Sequence, residues 1–189
     1  MIIEGILFSY EIIPRDRGDT ALEEVSMLFE KMKRDIPELE NVEIILRPEG
    51  VKGLILVDLR RVMKEKSEEN AEELSDIIRK RISEAFDAGE LLSISKIRMI
   101  HRIVKTDIKD IEKQGEFFSR YINDKWKIDI HTRKLLDRME TIRKVASHIK
   151  MPVDLKNPKY ILHIEVLGPS ITVIYLVNTE KREETILRL

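Results

Sequence analysis

The stretch Lys125-Trp126-Lys127-Ile128-Asp129-Ile130-His131 decides how the second half of this chain is read. Trp126, Ile128 and Ile130 alternate with Lys125, Lys127, Asp129 and His131. One face of an extended segment can therefore enter a core while the other shows charge to solvent. A basic helix near 135–150 follows, with Leu135, Met139, Ile142, Ala146 and Ile149 expected inward. Beyond it lies Asp154-Leu155-Lys156-Asn157-Pro158-Lys159-Tyr160. Pro158 lacks an amide proton and pushes Asn157 out of helical geometry, so this is a turn just ahead of the apolar run from Tyr160 to Leu167. The order is strand, helix, turn, strand.

These residues resemble the THUMP domain, an RNA-binding module of tRNA-modifying enzymes and their accessory proteins. The resemblance rests on the Lys-Trp-Lys-Ile-Asp-Ile strand, the helix near 135–150, and above all Val153-Asp154-Leu155-Lys156-Asn157-Pro158-Lys159-Tyr160-Ile161-Leu162-His163-Ile164-Glu165-Val166-Leu167-Gly168. It covers residues 96–189, about half the chain.

Working outward, Asp107 is expected to cap a helix carrying Ile108, Ile111, Phe118 and Ile122 on one side, with Gly115 on that side too. Two alternating strands flank Gly168-Pro169-Ser170, and 185–189 is expected to add an edge strand. The first half reads as strand, helix, strand, strand, helix, strand. Thr20-Ala21-Leu22-Glu23 has capping-box spacing ahead of Val25, Leu28, Phe29 and Met32, and Ser67 opens a second helix with Ala71, Leu74, Ile78, Ile82 and Ala85 inward. That order fits a ferredoxin-like split βαβ unit, a pairing for which THUMP proteins are known. The expected class is α+β, with a ferredoxin-like domain over 1–95 and a THUMP α/β domain over 96–189.

There is no cysteine, which excludes disulfides, thiolate metal sites and a Cys nucleophile. Glu4 interrupts the first apolar stretch and no basic leader precedes it, so it reads as a strand rather than a signal peptide. No apolar run is long enough to span a membrane, and the expected location is the cytoplasm. The 37% charged content with a single glutamine is compatible with a heat-adapted source. The net charge of −1 conceals a split: residues 1–90 hold 14 Lys and Arg against 22 Asp and Glu, and residues 91–189 hold 20 against 13. An acidic half joined to a basic half points to a polyanion partner for the second.

No catalytic constellation stands out. The glycines form no phosphate cradle, no serine sits in a nucleophile elbow, and His101, His131, His148 and His163 lack metal-ligand spacing. No catalytic residue, metal or cofactor is expected. The RNA-binding candidates are Lys125 and Lys127 on the strand, Arg133, Lys134 and Lys144 on the outer arc of the helix with His148 beside them, and Lys156, Asn157 and Lys159 at the turn. Trp126 is expected in the core rather than stacked on a base.

The resemblance implies a non-catalytic protein that binds tRNA, not DNA, and presents it to a separate modification enzyme. An N-terminal domain plus a THUMP segment at the end of the chain is most similar to the accessory component of tRNA cytidine acetylation, which makes an acetyltransferase the implied partner. The alternatives are the substrate-binding subunit of a split tRNA methyltransferase or thiolation enzyme, and a scaffold with no RNA role.

Overall fold

The computed structural model describes residues 1–189 and divides into two compact units: Met1–Ile100 with Ile186–Leu189, and His101–Thr185. The first unit contains β1 (Gly5–Tyr10), α1 (Gly18–Asp35), β2 (Glu43–Leu46), β3 (Leu54–Asp58), a short α2 (Arg60–Lys64), α3 (Glu68–Asp87), β4 (Ile94–Ile100) and β9 (Ile186–Arg188). Its sheet runs β2-β3-β1-β4-β9, and every neighbouring pair is antiparallel. The first four strands have the order of a split βαβ unit, as the sequence implies.

The long helices bury one stripe each. Val25, Phe29 and Met32 of α1 and Leu74, Ile78 and Ile82 of α3 share a core with Ile6, Phe8, Ile55, Val57, Ile97 and Met99 from the sheet. This is the 3.6-residue period meeting the two-residue period. Ser67 caps α3 by accepting from the Asn70 amide at 3.2 Å. α1 starts three residues earlier than the Thr20 spacing suggests, at Gly18 rather than Ala21. Asp16 Oδ1 accepts from the Gly18 amide at 2.8 Å, and a side chain at Gly18 would collide with Asp16 and Tyr10.

The second unit contains β5 (Arg102–Val104), α4 (Ile108–Ser119), β6 (Trp126–His131), α5 (Arg138–Ala146), β7 (Tyr160–Val166) and β8 (Thr172–Asn178). Its sheet runs β5-β8-β7-β6, with β6 and β7 parallel and the other pairs antiparallel. Asp107 caps α4 as expected, accepting from the Lys109 and Asp110 amides. No helix is long and apolar enough to cross a membrane.

The division expected between residues 95 and 96 falls between 100 and 101. β4 keeps its register with β1 as far as Ile100 opposite Gly5, so a cut at 95 would sever a central strand. The expected C-terminal edge strand forms, but on the first sheet: β9 pairs with β4, Leu187 opposite Ile97.

Candidate nucleic-acid interface

β6 enters the second unit through Trp126, which is 1% exposed. Its indole Nε1 donates to the Met151 carbonyl at 2.9 Å, and its backbone N–H and C=O pair with Pro152 O at 3.2 Å and the Asp154 amide at 3.0 Å. On the strand's other side the Lys125 carbonyl accepts from the Lys159 and Tyr160 amides at 2.8 and 3.1 Å. Residues 151–159 therefore straddle the start of β6. Trp126 is a core residue, as its alternation implies, and offers no stacking platform.

Asp154 shapes the turn between those anchors. Its Oδ1 accepts from the Lys156 and Asn157 amides at 2.9 and 3.0 Å, the local hydrogen bonding that aspartate brings to turns. Those amides hold its carboxyl below the usual aspartate range, with a smaller contribution from Lys125, whose Nζ is 4.0 Å away. Thr179 closes the far side, its amide donating to Lys159 O at 2.8 Å and its hydroxyl lying 3.0 Å from Pro158 O.

The result is an open cleft of about 630 Å³ lined by Lys125, Lys127, Lys156, Asn157, Lys159 and Arg182, with Asp124, Pro158, Ile161, Thr179 and Glu180 completing its walls. Five cations face two carboxylates. Lys127, Lys156, Lys159 and Arg182 form no ion pair within the chain, so their charge is available to an anionic ligand. Lys159 lies 5.8 Å from the centre of the Tyr160 ring.

The structure thus brings together five of the eight candidates: Lys125, Lys127, Lys156, Asn157 and Lys159. Arg133, Lys134 and Lys144 do not line the cleft. Arg133 and Lys134 belong to the turn before α5, both in left-handed backbone at φ 49° and 62°. Arg133 reaches Glu165 at 3.4 Å, Lys144 pairs with Glu140 at 3.5 Å, and His148 faces Glu112 at 3.6 Å.

The expected helix face is rotated within α5, although Ile149 beyond its end is buried as expected. Asp137 accepts from the Glu140 amide at 2.8 Å and starts the helix at Arg138, which leaves Leu135 in the preceding turn. Thr141 and Val145 are the buried residues of α5, whereas Leu135 is 45% and Met139 61% exposed. The cause is Gly115 of α4. A Cβ there would stand 2.5 Å from the Val145 carbonyl oxygen, so its absence lets the α5 backbone seat directly on α4.

Arg182 escaped the sequence reading, although a signal for it exists. Tyr160 pairs with Asn178 and Val166 with Thr172, a hairpin centred on Pro169. Counting outward places Thr179 opposite Lys159 and carries the charged run 179–184 to the Asn-Pro turn.

No family model matches the sequence, and no curated protein matches it. Among solved structures, PH1313 from Pyrococcus horikoshii Ot3 is 18% identical with a TM-score of 0.57, over 97% of this chain and 54% of that one. A 4-thiouridine synthetase, solved as an RNA complex with bound ATP, is 14% identical with a TM-score of 0.56, over 93% of this chain and 42% of that one. At these identities the likeness is one of fold. The chain spans about half the length of the structures it matches.

Proposed function

We propose that this chain is a THUMP-type, non-catalytic tRNA-binding protein that presents tRNA to a separate modification enzyme, a tRNA cytidine acetyltransferase. The observation that carries the RNA reading is the cleft. Lys125, Lys127, Lys156, Lys159 and Arg182 converge from a strand, a turn and the segment after β8, and hydrogen bonds rather than ion pairs hold the turn in place. A cationic groove with few carboxylates suits phosphate contacts, which position a nucleic acid without reading its bases. The fold shared with a 4-thiouridine synthetase solved in complex with RNA supports the same reading.

That likeness also favours a second reading, in which the chain serves as the RNA-binding part of a thiolation enzyme. The acetyltransferase assignment rests on the resemblance of the domain arrangement. Product formed from cytidine-acetylation donors only when this chain is added to the enzyme separates the two.

The direct test is affinity for total tRNA at low and moderate salt with double-stranded DNA as competitor. The logarithm of affinity should fall with the logarithm of salt by roughly 0.7–0.9 for each phosphate neutralised. Substituting Lys125, Lys127, Lys156 and Lys159 together by alanine should flatten that slope and cut affinity without changing the melting temperature. Unchanged affinity in this variant removes the cleft from the reading.

A further inference from the structure

The opposite edge of β6 is unfinished. In the parallel ladder with β7 the odd-numbered residues of β6 turn their backbone groups toward β7, as the Lys125 carbonyl does in accepting from Tyr160. The even-numbered residues turn theirs outward. Trp126 uses both of its outward groups on the 152–154 segment, forming a single parallel bridge with Val153. Asp154 then bends the chain away by accepting from Lys156 and Asn157. The next outward groups, the N–H and C=O of Ile128 and Ile130, have no partner within the chain. A ladder has been started and abandoned after one rung, leaving the open edge that sheet proteins usually blunt.

The helix above that edge carries a matching apolar stripe. α4 meets α5 where Gly115 lies against Val145, and Glu112 faces His148 just beyond the end of α5. On the side away from α4 lie Ile142 and Ala146, both half-buried, and Met139, which is 61% exposed. α5 contacts β6, the strand at this edge of the sheet. Lys134, Arg138 and Arg143 surround the stripe, and none of them forms an ion pair within the chain.

We infer that the β6 edge is a strand-addition site for an extended, acidic segment of another protein. Free N–H and C=O groups two residues apart accept an extended backbone, as other sheet edges do for peptides. Side chains of such a strand alternate, apolar ones meeting Ile128, Ile142 and Met139 and polar ones emerging beside Lys127, Asp129 and His131. Lys127, Lys134, Arg138 and Arg143 outnumber Asp129 around this edge and favour an acidic sequence through their summed charge. They also disfavour a second copy of this chain, because two-fold pairing of β6 edges would bring Arg138 and Arg143 toward their own equivalents. RNA is the poorer occupant, since Met139 and Leu135 offer phosphates nothing. The site shares only Lys127 with the cleft and does not depend on the tRNA reading.

A fluorescein-labelled peptide alternating glutamate and valine serves as the probe, with a lysine–valine peptide as control. The acidic peptide should bind saturably and the basic one should not. Binding should slow hydrogen exchange at the Ile128 and Ile130 amides and leave Lys127 and Asp129, already bonded to β7, unchanged. Met139→Glu, at an exposed position that the fold does not need, should weaken binding at least ten-fold, about 1.4 kcal/mol. Ile128→Pro, which removes an outward N–H and the Ile128 side chain but no bond to β7, should do the same. The Lys125, Lys156 and Lys159 alanine variant, which keeps Lys127, should bind the acidic peptide as the wild type does.

No binding, no protection at Ile128, or loss of binding in the alanine variant overturns the inference, the last because the peptide would then be occupying the cleft. A wild-type protein that sediments as a dimer, made monomeric by Met139→Glu, overturns the choice of occupant in favour of a second copy.

Discussion

At its Trp126 end β6 is held from both sides, by the 152–154 segment on one edge and by Lys159 and Tyr160 on the other, with the indole Nε1 fastened to Met151 O. At its His131 end it runs into two successive left-handed residues, Arg133 and Lys134, and a helix that leaves Leu135 and Met139 in solvent. The two ends lie only a few residues apart in one strand. Convergent hydrogen bonds define the first, and that is where the unpaired lysines gather. The second keeps its shape through a cap, an ion pair and strained backbone, and that is where apolar surface stays uncovered.

The contrast breaks most completely at Trp126. Trp126→Ala removes a fully buried ring and the donor for Met151 O, so it should cost about 3–5 kcal/mol in urea unfolding. Trp126→Phe should retain much of that stability while hydrogen exchange speeds up at the Asp154 and Lys159 amides, because a ring stays in the core and the bond to Met151 O is lost. A Phe variant with unchanged exchange at those amides would mean that the indole bond does not hold the cleft wall.

Gly115 tests the other end at somewhat smaller magnitude. Adding a methyl group there places it 2.5 Å from backbone rather than from a yielding side chain, so Gly115→Ala should destabilise by about 1–3 kcal/mol. It should also push α5 off α4, with the largest NMR shift changes at Thr141 and Val145. A neutral substitution would mean that something other than this close approach sets which face of α5 is buried.

The same glycine shows why the sequence was legible at one end of β6 and not at the other. Alternation placed Trp126 in the core, and Asp154-Leu155-Lys156-Asn157-Pro158 announced its turn through Pro158 and a capping carboxylate, all local effects. In the first unit, α1 and α3 read correctly because each buries a broad apolar stripe against a sheet. α5 misled because its strongest periodicity, Leu135, Met139, Ile142 and Ala146, is not its buried face. The face was chosen by a close approach to a residue about 30 positions away, and no window over 135–150 contains that information. The candidate cations expected on that arc lie outside the cleft, whereas those carried by the strand and the turn line it together.

Asp154 should give a pH signature confined to the Trp126 end. Its folded carboxyl titrates below the ordinary value of about 4 because the Asn157 and Lys156 amides stabilise the charged form. A depressed folded value contributes stability that is present above the unfolded value and lost as pH falls through the folded one. Asp154→Asn should therefore narrow the stability difference between pH 6 and pH 3 relative to wild type, with exchange changes concentrated at Lys156 and Asn157. An identical pH profile in the variant would mean that the turn is held without the carboxylate.

The smallest effect should come from Lys134, and its sign carries the information. A left-handed residue other than glycine costs roughly 1–2 kcal/mol, while glycine's greater freedom in the unfolded chain costs about 0.5–1 kcal/mol. Lys134 is exposed and forms no ion pair, so nothing else is lost when it is replaced. Lys134→Gly should then stabilise the protein by roughly 0.5–1 kcal/mol, whereas Lys144→Gly in the body of α5 should destabilise it. Arg133→Gly is less informative, because relief of the same strain is mixed with loss of the Glu165 contact. Opposite signs at Lys134 and Lys144 would show that the turn holds its shape against the preference of its own residues. Such a turn is held by the structure around it rather than by local propensity.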